Sequence, residues 1–127
     1  MSNLFDPNGD LIVIEVVLHG TDRSTKARLI LDTGANLTVV RKDLLTFLGY
    51  DPDASTEFLQ MTTGSGTETV SLITLESAEA LEQTREDFGV IAHTLPPTAG
   101  VDGVLGLDFF RHCVLTLDFV SGEIILR

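Results

Sequence analysis

The chain has 127 residues, 43% of them hydrophobic, enough for one domain with one core and too few for a second. A formal net charge of -11 argues against nucleic acid, which needs clustered Lys and Arg to release counterions, and against anionic membrane surfaces. With a single cysteine, no apolar run of membrane-spanning length and no basic, apolar leader, the expectation is a soluble protein of a reducing compartment, the cytoplasm.

β-Branched residues crowd the apolar stretches, which predicts a single, mainly β domain over residues 1–127 with one or two short helices. Leu11 to Leu18 is almost continuously apolar, broken by Glu15. After the polar stretch His19 to Lys26 a second apolar run covers Ala27 to Leu31, so the two predict a hairpin of buried strands. Asp32-Thr33-Gly34 interrupts that run where a turn falls, and Leu37 to Val40 resumes it as a short strand. Leu44, Leu45 and Leu48, spaced for one helical face, predict a short helix over Arg41 to Leu48 that stops at Gly49. Phe58 to Thr62 and Thr67 to Leu75 predict a hairpin with a flexible tip at Gly64-Ser65-Gly66. Glu76 to Asp87, with five acidic residues and one basic, predicts an exposed loop or helical turn before a strand from Phe88 to Ala92. Leu95 to Gly100 follows as an irregular connector and Val101 to Gly106 as a buried segment. Leu107 to His112 suits a short helix. Val114 to Phe119 and Glu123 to Leu126 form a closing hairpin turned at Ser121-Gly122.

Two segments carry candidate chemistry. Leu29-Ile30-Leu31-Asp32-Thr33-Gly34-Ala35 places an ionisable residue at the end of an apolar strand, and a buried carboxylate is costly unless it is hydrogen-bonded, paired or neutralised. The plain structural reading is an Asp capping a tight turn in which Gly34 takes an unusual backbone angle. Far downstream, Val104-Leu105-Gly106 leads into the apolar Leu107-Asp108-Phe109-Phe110, by itself ordinary core packing.

Taken together the segments resemble the retropepsin-like aspartic protease family. Its subunits carry an apolar strand into Asp-Thr-Gly-Ala, then a flap hairpin, then an apolar-apolar-Gly motif before a short helix. The matching pieces are Asp32-Thr33-Gly34-Ala35, the hairpin around Gly64-Ser65-Gly66, and Val104-Leu105-Gly106, in the family's order and covering roughly residues 11 to 126. Gly106-Leu107-Asp108-Phe109-Phe110 and the closing Leu117-Asp118-Phe119 look more like bacterial and cellular members than viral ones. Asn36 and Leu107 stand where viral members often have Asp and Arg, so their ion pair is expected to be missing.

The resemblance implies a closed or partly closed barrel with a flap hairpin, and an aspartic endopeptidase that uses neither cofactor nor metal. Asp32 is the implied catalytic residue. Thr33 is expected to hold the opposite subunit's loop, Gly34 to admit substrate backbone, and Ala35 to complete the active-site loop. Thr63, Gly64, Ser65 and Gly66 in the flap, with Val104, Leu105 and Gly106 in the cleft wall, are the implied substrate-binding residues. Ile30, Val39 and Leu105 suggest hydrophobic subsites. The reaction needs two carboxylates and the chain holds one Asp-Thr-Gly, so a homodimer acting on a peptide or protein is expected, with nucleic acid and membrane excluded as partners.

Other readings compete. Leu31-Asp32-Thr33-Gly34 also resembles the first phosphate loop of the actin and sugar-kinase fold, which needs two large lobes that this length cannot supply. A haloacid dehalogenase phosphatase wants a second Asp where Gly34 stands. The remaining alternative is a catalytically silent module of the same fold that dimerises or binds peptides. His19, His93 and His112 lack metal-ligand spacing, so no metal site is assigned. Asp102, Asp108 and Asp118 read as turn, helix-start and surface residues, and Cys113 as a buried small hydrophobe.

Overall fold

The computed structural model describes residues 3–96 and 99–127, with the side chain of Thr63 set aside. Pro97 and Thr98, inside the expected connector, lie outside the described residues. The first buried hairpin is formed by β2 (Val13–His19) and β3 (Ser24–Leu31), antiparallel from Val13 opposite Ile30 to His19 opposite Ser24. Alternation fixes its faces: Ile14, Val16, Leu18, Ala27, Leu29 and Leu31 point inward, while Glu15, Lys26 and Arg28 face out. The two-residue strand β1 (Asn3–Leu4) precedes it.

After β3 come β4 (Val39–Arg41), the helix α1 (Lys42–Phe47) and a 3-10 turn at Pro52–Ala54. Gly49, at φ +99°, takes the left-handed backbone that ends α1. Then follow β5 (Phe58–Thr63), β6 (Gly66–Ala80), β7 (Gln83–His93), β8 (Gly103–Leu105), α2 (Leu107–Phe110), β9 (Leu115–Asp118) and β10 (Glu123–Leu126).

Strands β2, β3, β8, β4, β7 and β6 lie side by side in that order. Pairing of Val17, Leu18 and His19 with Glu79, Ala78 and Ser77 joins β6 back to β2 and closes a six-stranded barrel. Closure pairs the two strands that would otherwise be the edges of the ring. β5 is added outside the ring on β6. β8 is the central piece, inserted parallel to β3 and antiparallel to β4. A glycine is required at its start, because a Cβ on Gly103 would stand 1.8 Å from the carbonyl oxygen of Val39. The barrel core includes Val16, Leu18, Leu29, Val40, Leu75 and Leu105, and Phe109 packs edge-to-face on Phe88 and Phe110. A second sheet sets β1 and β9 on either side of β10.

One sequence expectation is overturned. Glu76 to Asp87 is not a loop or a helical turn but the outer part of the β6–β7 hairpin, paired from Leu75 opposite Phe88 to Ala80 opposite Gln83. The connection is the tight turn Leu81-Glu82, both residues at positive φ (52° and 65°), as a two-residue hairpin loop demands. That turn normally announces itself with Asn or Gly, and neither is present. Asp87, at φ +48°, stands where the pairing skips from Leu75 opposite Phe88 to Ser77 opposite Glu86, and across that point the buried set of β6 passes from Ile73 and Leu75 to Ala78 and Ala80. The acidic side chains of the segment remain exposed.

Candidate active site

β3 delivers Asp32 to the end of the barrel, just past the buried Leu31. Three hydrogen bonds set its position: its amide donates to the Leu105 carbonyl at 3.0 Å, its carbonyl accepts the Ala35 amide at 3.2 Å, and the Gly34 amide donates to its Oδ1 at 2.8 Å. The Asp does make the turn-capping contact of the plain structural reading. Its carboxylate is nonetheless only half-buried, and Oδ2 has no partner among the described residues. Thr33 and Gly34 are exposed. A Cβ on Gly34 would meet only Asp32 Oδ1, at 3.1 Å, so the space over the loop is open.

The other face of the loop is braced. Gly106 is buried, and a Cβ there would lie 2.8 Å from the carbonyl oxygens of Ala35 and Leu37, so the chain after β8 rests directly on the loop backbone. Leu107 donates its amide to the Ala35 carbonyl at 2.8 Å. That backbone tie joins α2 to the loop where an Asn36 and Leu107 pair offers no ion pair. Thr38 completes the brace: its hydroxyl donates to Asp108 Oδ1 (2.7 Å) and accepts the Gly106 amide (3.1 Å), while its own amide donates to Asp108 Oδ2 (2.9 Å).

Val104 is half-buried beside β3 and β4, whereas Leu105 is fully buried in the core behind the loop and offers no surface to a cleft. Thr63 pairs through its backbone with Gly66, leaving Gly64-Ser65 as a two-residue tip, and its side chain lies outside the described set. Nothing stands within 4 Å of a Cβ placed on Gly64 or Gly66, so the tip projects into open space.

Three residues read as incidental in the sequence tie β8 and α2 into the barrel. Asp108 is not simply a helix-start acid, since both its oxygens bind Thr38, the fully buried polar residue of the core. Asp102 is more than a turn residue: it accepts the Arg28 amide (2.8 Å) and Arg41 Nε (2.7 Å), clamping the start of β8 to β3 and β4. Cys113 is half-buried rather than buried, and its sulfur accepts Arg85 Nη2 at 3.2 Å while the guanidinium lies 4.7 Å over the Phe109 ring. Only Thr38, a polar residue inside the apolar run Leu37 to Val40, carried any local signal.

Among the described residues no three His, Cys, Asp or Glu side chains converge as a metal set, and no helix is long and apolar enough to cross a membrane.

Residues 20–112 match the sequence model of a family described as "gag-polyprotein putative aspartyl protease". In structure the chain is similar to a retropepsin-like aspartic protease from Rickettsia conorii, with a TM-score of 0.74 and 19% identity over 99% of this chain and 89% of that one. The likeness extends to the strand-rich closed barrel. No curated protein matches in sequence.

Proposed function

The chain belongs to the gag-polyprotein aspartyl protease family, with the retropepsin-like fold, and from that membership we propose that it is an aspartic endopeptidase whose active form is a homodimer. The observation that carries the proposal is Asp32: a half-buried carboxylate at the end of a buried strand, pinned by the Gly34 amide and backed by β8, with one oxygen left without a partner among the described residues. One such group per chain supplies half of a general acid and base pair, and a second copy about a two-fold axis supplies the other half.

At ~4 Å two carboxylates repel by about 4 kcal/mol at an effective dielectric near 20, which favours the pair sharing one proton. The ionised partner takes a proton from water as the water oxygen bonds to the peptide carbonyl carbon. The protonated partner gives its proton to the carbonyl oxygen. Collapse of the resulting gem-diol breaks the C–N bond, the amine leaving with a proton returned through the pair. In this reading Thr33 reaches the opposite loop and Gly34 admits substrate backbone. The β5–β6 hairpin with Thr63, Gly64, Ser65 and Gly66 is the flap, and half-buried Ile30, Val39 and Val104 lend apolar character to the subsites. The chain acts as one domain, in the cytoplasm, on peptide or protein.

Asp32→Asn is the test. An amide of nearly the same shape cannot serve as the base, so hydrolysis of a peptide library is expected to fall at least about a hundredfold, the lower end of a general base's contribution, with unchanged circular dichroism. Equal turnover in both proteins removes Asp32 from the mechanism. No turnover by the native chain at any pH or concentration leaves the silent module.

A further inference from the structure

The β6–β7 ladder begins at Ser71 opposite Ala92, so the first residues of β6, from Gly66 to Val70, leave the barrel paired only with β5. Across this fork runs a side-chain tie. His93, the last residue of β7, places Nε2 2.6 Å from Glu68 Oε1 on the departing arm, and its Nδ1 lies 2.9 Å from the Thr94 carbonyl oxygen. Both partners are acceptors. A neutral ring carries one N–H and can donate to only one of them, turning a bare lone pair on the other. Both contacts are hydrogen bonds at once only when both nitrogens carry hydrogens, as in an imidazolium.

We propose that His93 and Glu68 form a proton-operated latch at the root of the β5–β6 hairpin. The proton holds the arm against the end of β7 by a charge-assisted bond, and its loss removes the charge and leaves one of the two ring contacts unmade, so the arm is held less firmly. The latch regulates the candidate site only if the hairpin is its flap, so its role in catalysis rests on the reading above, while its existence does not. Both groups line a cavity of about 320 Å³. The other charged group facing that cavity is Lys42 of α1, which is ion-paired to Asp53 at 3.4 Å; Thr69, Val70, Ser71, Ala92 and Thr94 complete the wall without charge. On β4, Arg41 stands opposite His93, its guanidinium taken up by Asp102 and Asp43. The ring and the carboxylate keep 33% and 47% of their surface, so water exchanges the proton freely and salt weakens the tie. Imidazole changes charge between mild acid and neutrality. Acid therefore tightens the latch, the same direction in which the proposed Asp32 pair gains its shared proton.

Hydrogen exchange on the intact chain, with intrinsic rates divided out, tests the latch without any substrate. Residues 58–70 of the native protein are expected to exchange several-fold more slowly at about pH 5.5 than at about pH 8, with the difference reduced by salt. Glu68→Ala and His93→Ala abolish the difference. Glu68→Gln, whose amide donates to a neutral ring, keeps the protection at about pH 8. Equal native protection at both pH values, an unchanged pH response in Glu68→Ala, or loss of protection in Glu68→Gln at the higher pH each overturns the proposal. In a peptide assay, Glu68→Ala raises KM at acid pH and leaves kcat nearly unchanged. Exchange as expected in a protein without turnover would retain the latch and reject the protease.

Discussion

The hydroxyl of Thr38 serves two partners from a fully buried position, and its amide serves a third contact. Thr38→Val keeps the shape but strands the Gly106 amide and one Asp108 oxygen, each a desolvated group of about 1–3 kcal/mol. The melting temperature is expected to fall by several degrees, and turnover per folded molecule to fall with it, because Gly106 braces the Asp32 loop. Thr38→Ser restores both, as melts and kcat on the same preparations would show. These contacts explain how much of the site could be read from the sequence. A carboxylate closing the apolar run Leu29 to Leu31 is anomalous within its own neighbourhood, so Asp32 stands out. Asp108 and Asp102 are ordinary in theirs. Their partners Thr38, Arg28 and Arg41 lie 61 to 74 residues away, and only the fold brings them together.

At the scale of elements, the two apolar runs on either side of the polar stretch His19 to Lys26 made β2 and β3 legible, as Leu spacing did for α1. The β6–β7 hairpin escaped because its turn is Leu81-Glu82 and its alternation slips at Asp87, so the acidic side chains read as a loop. Close packing makes β8 the most exacting strand. Gly103→Ala drives a methyl into the Val39 carbonyl and is expected to destabilise the chain by about 1–3 kcal/mol or more in thermal melts. Gly89→Ala, where the new carbon meets only the Leu72 side chain, at 3.5 Å from Cδ1 and 3.9 Å from Cγ, is tolerated. The β9–β10 turn gives a test in pH. Ser121 and Val120 amides, at 3.0 and 2.8 Å, donate to Asp118 Oδ1 and lower the carboxyl from its ordinary value of 3.8. A folded value below the unfolded one stabilises the fold above the ordinary Asp range, and the contribution is lost as pH falls through the lowered value. The melting-temperature deficit of Asp118→Asn is therefore largest near neutrality and vanishes in strong acid.

For the whole molecule, two chains each of charge -11 must meet to form the proposed site. Specific activity is expected to rise with protein concentration to a plateau, and moderate salt, which shortens the Debye length to about 10 Å at 0.1 M, to move the plateau to lower concentration. The pH profile is bell-shaped on the acidic side of neutrality, since the pair fails when both acids are protonated and when both are ionised. Excess Asp32→Asn poisons turnover beyond simple dilution. Activity independent of concentration and of added mutant, in a protein that sediments as a monomer, overturns the shared site. The insertion of β8 between β3 and β4 also dictates the order of events during synthesis. Asp32 leaves the ribosome early, but its amide has no acceptor until Leu105 has emerged, a delay of several seconds at about 5–20 residues per second. Pairings so distant along the chain are slow to form. A nascent or partly folded chain therefore carries the Asp-Thr-Gly sequence without the braced loop, and the topology itself keeps the carboxylate idle until almost the entire barrel has been translated.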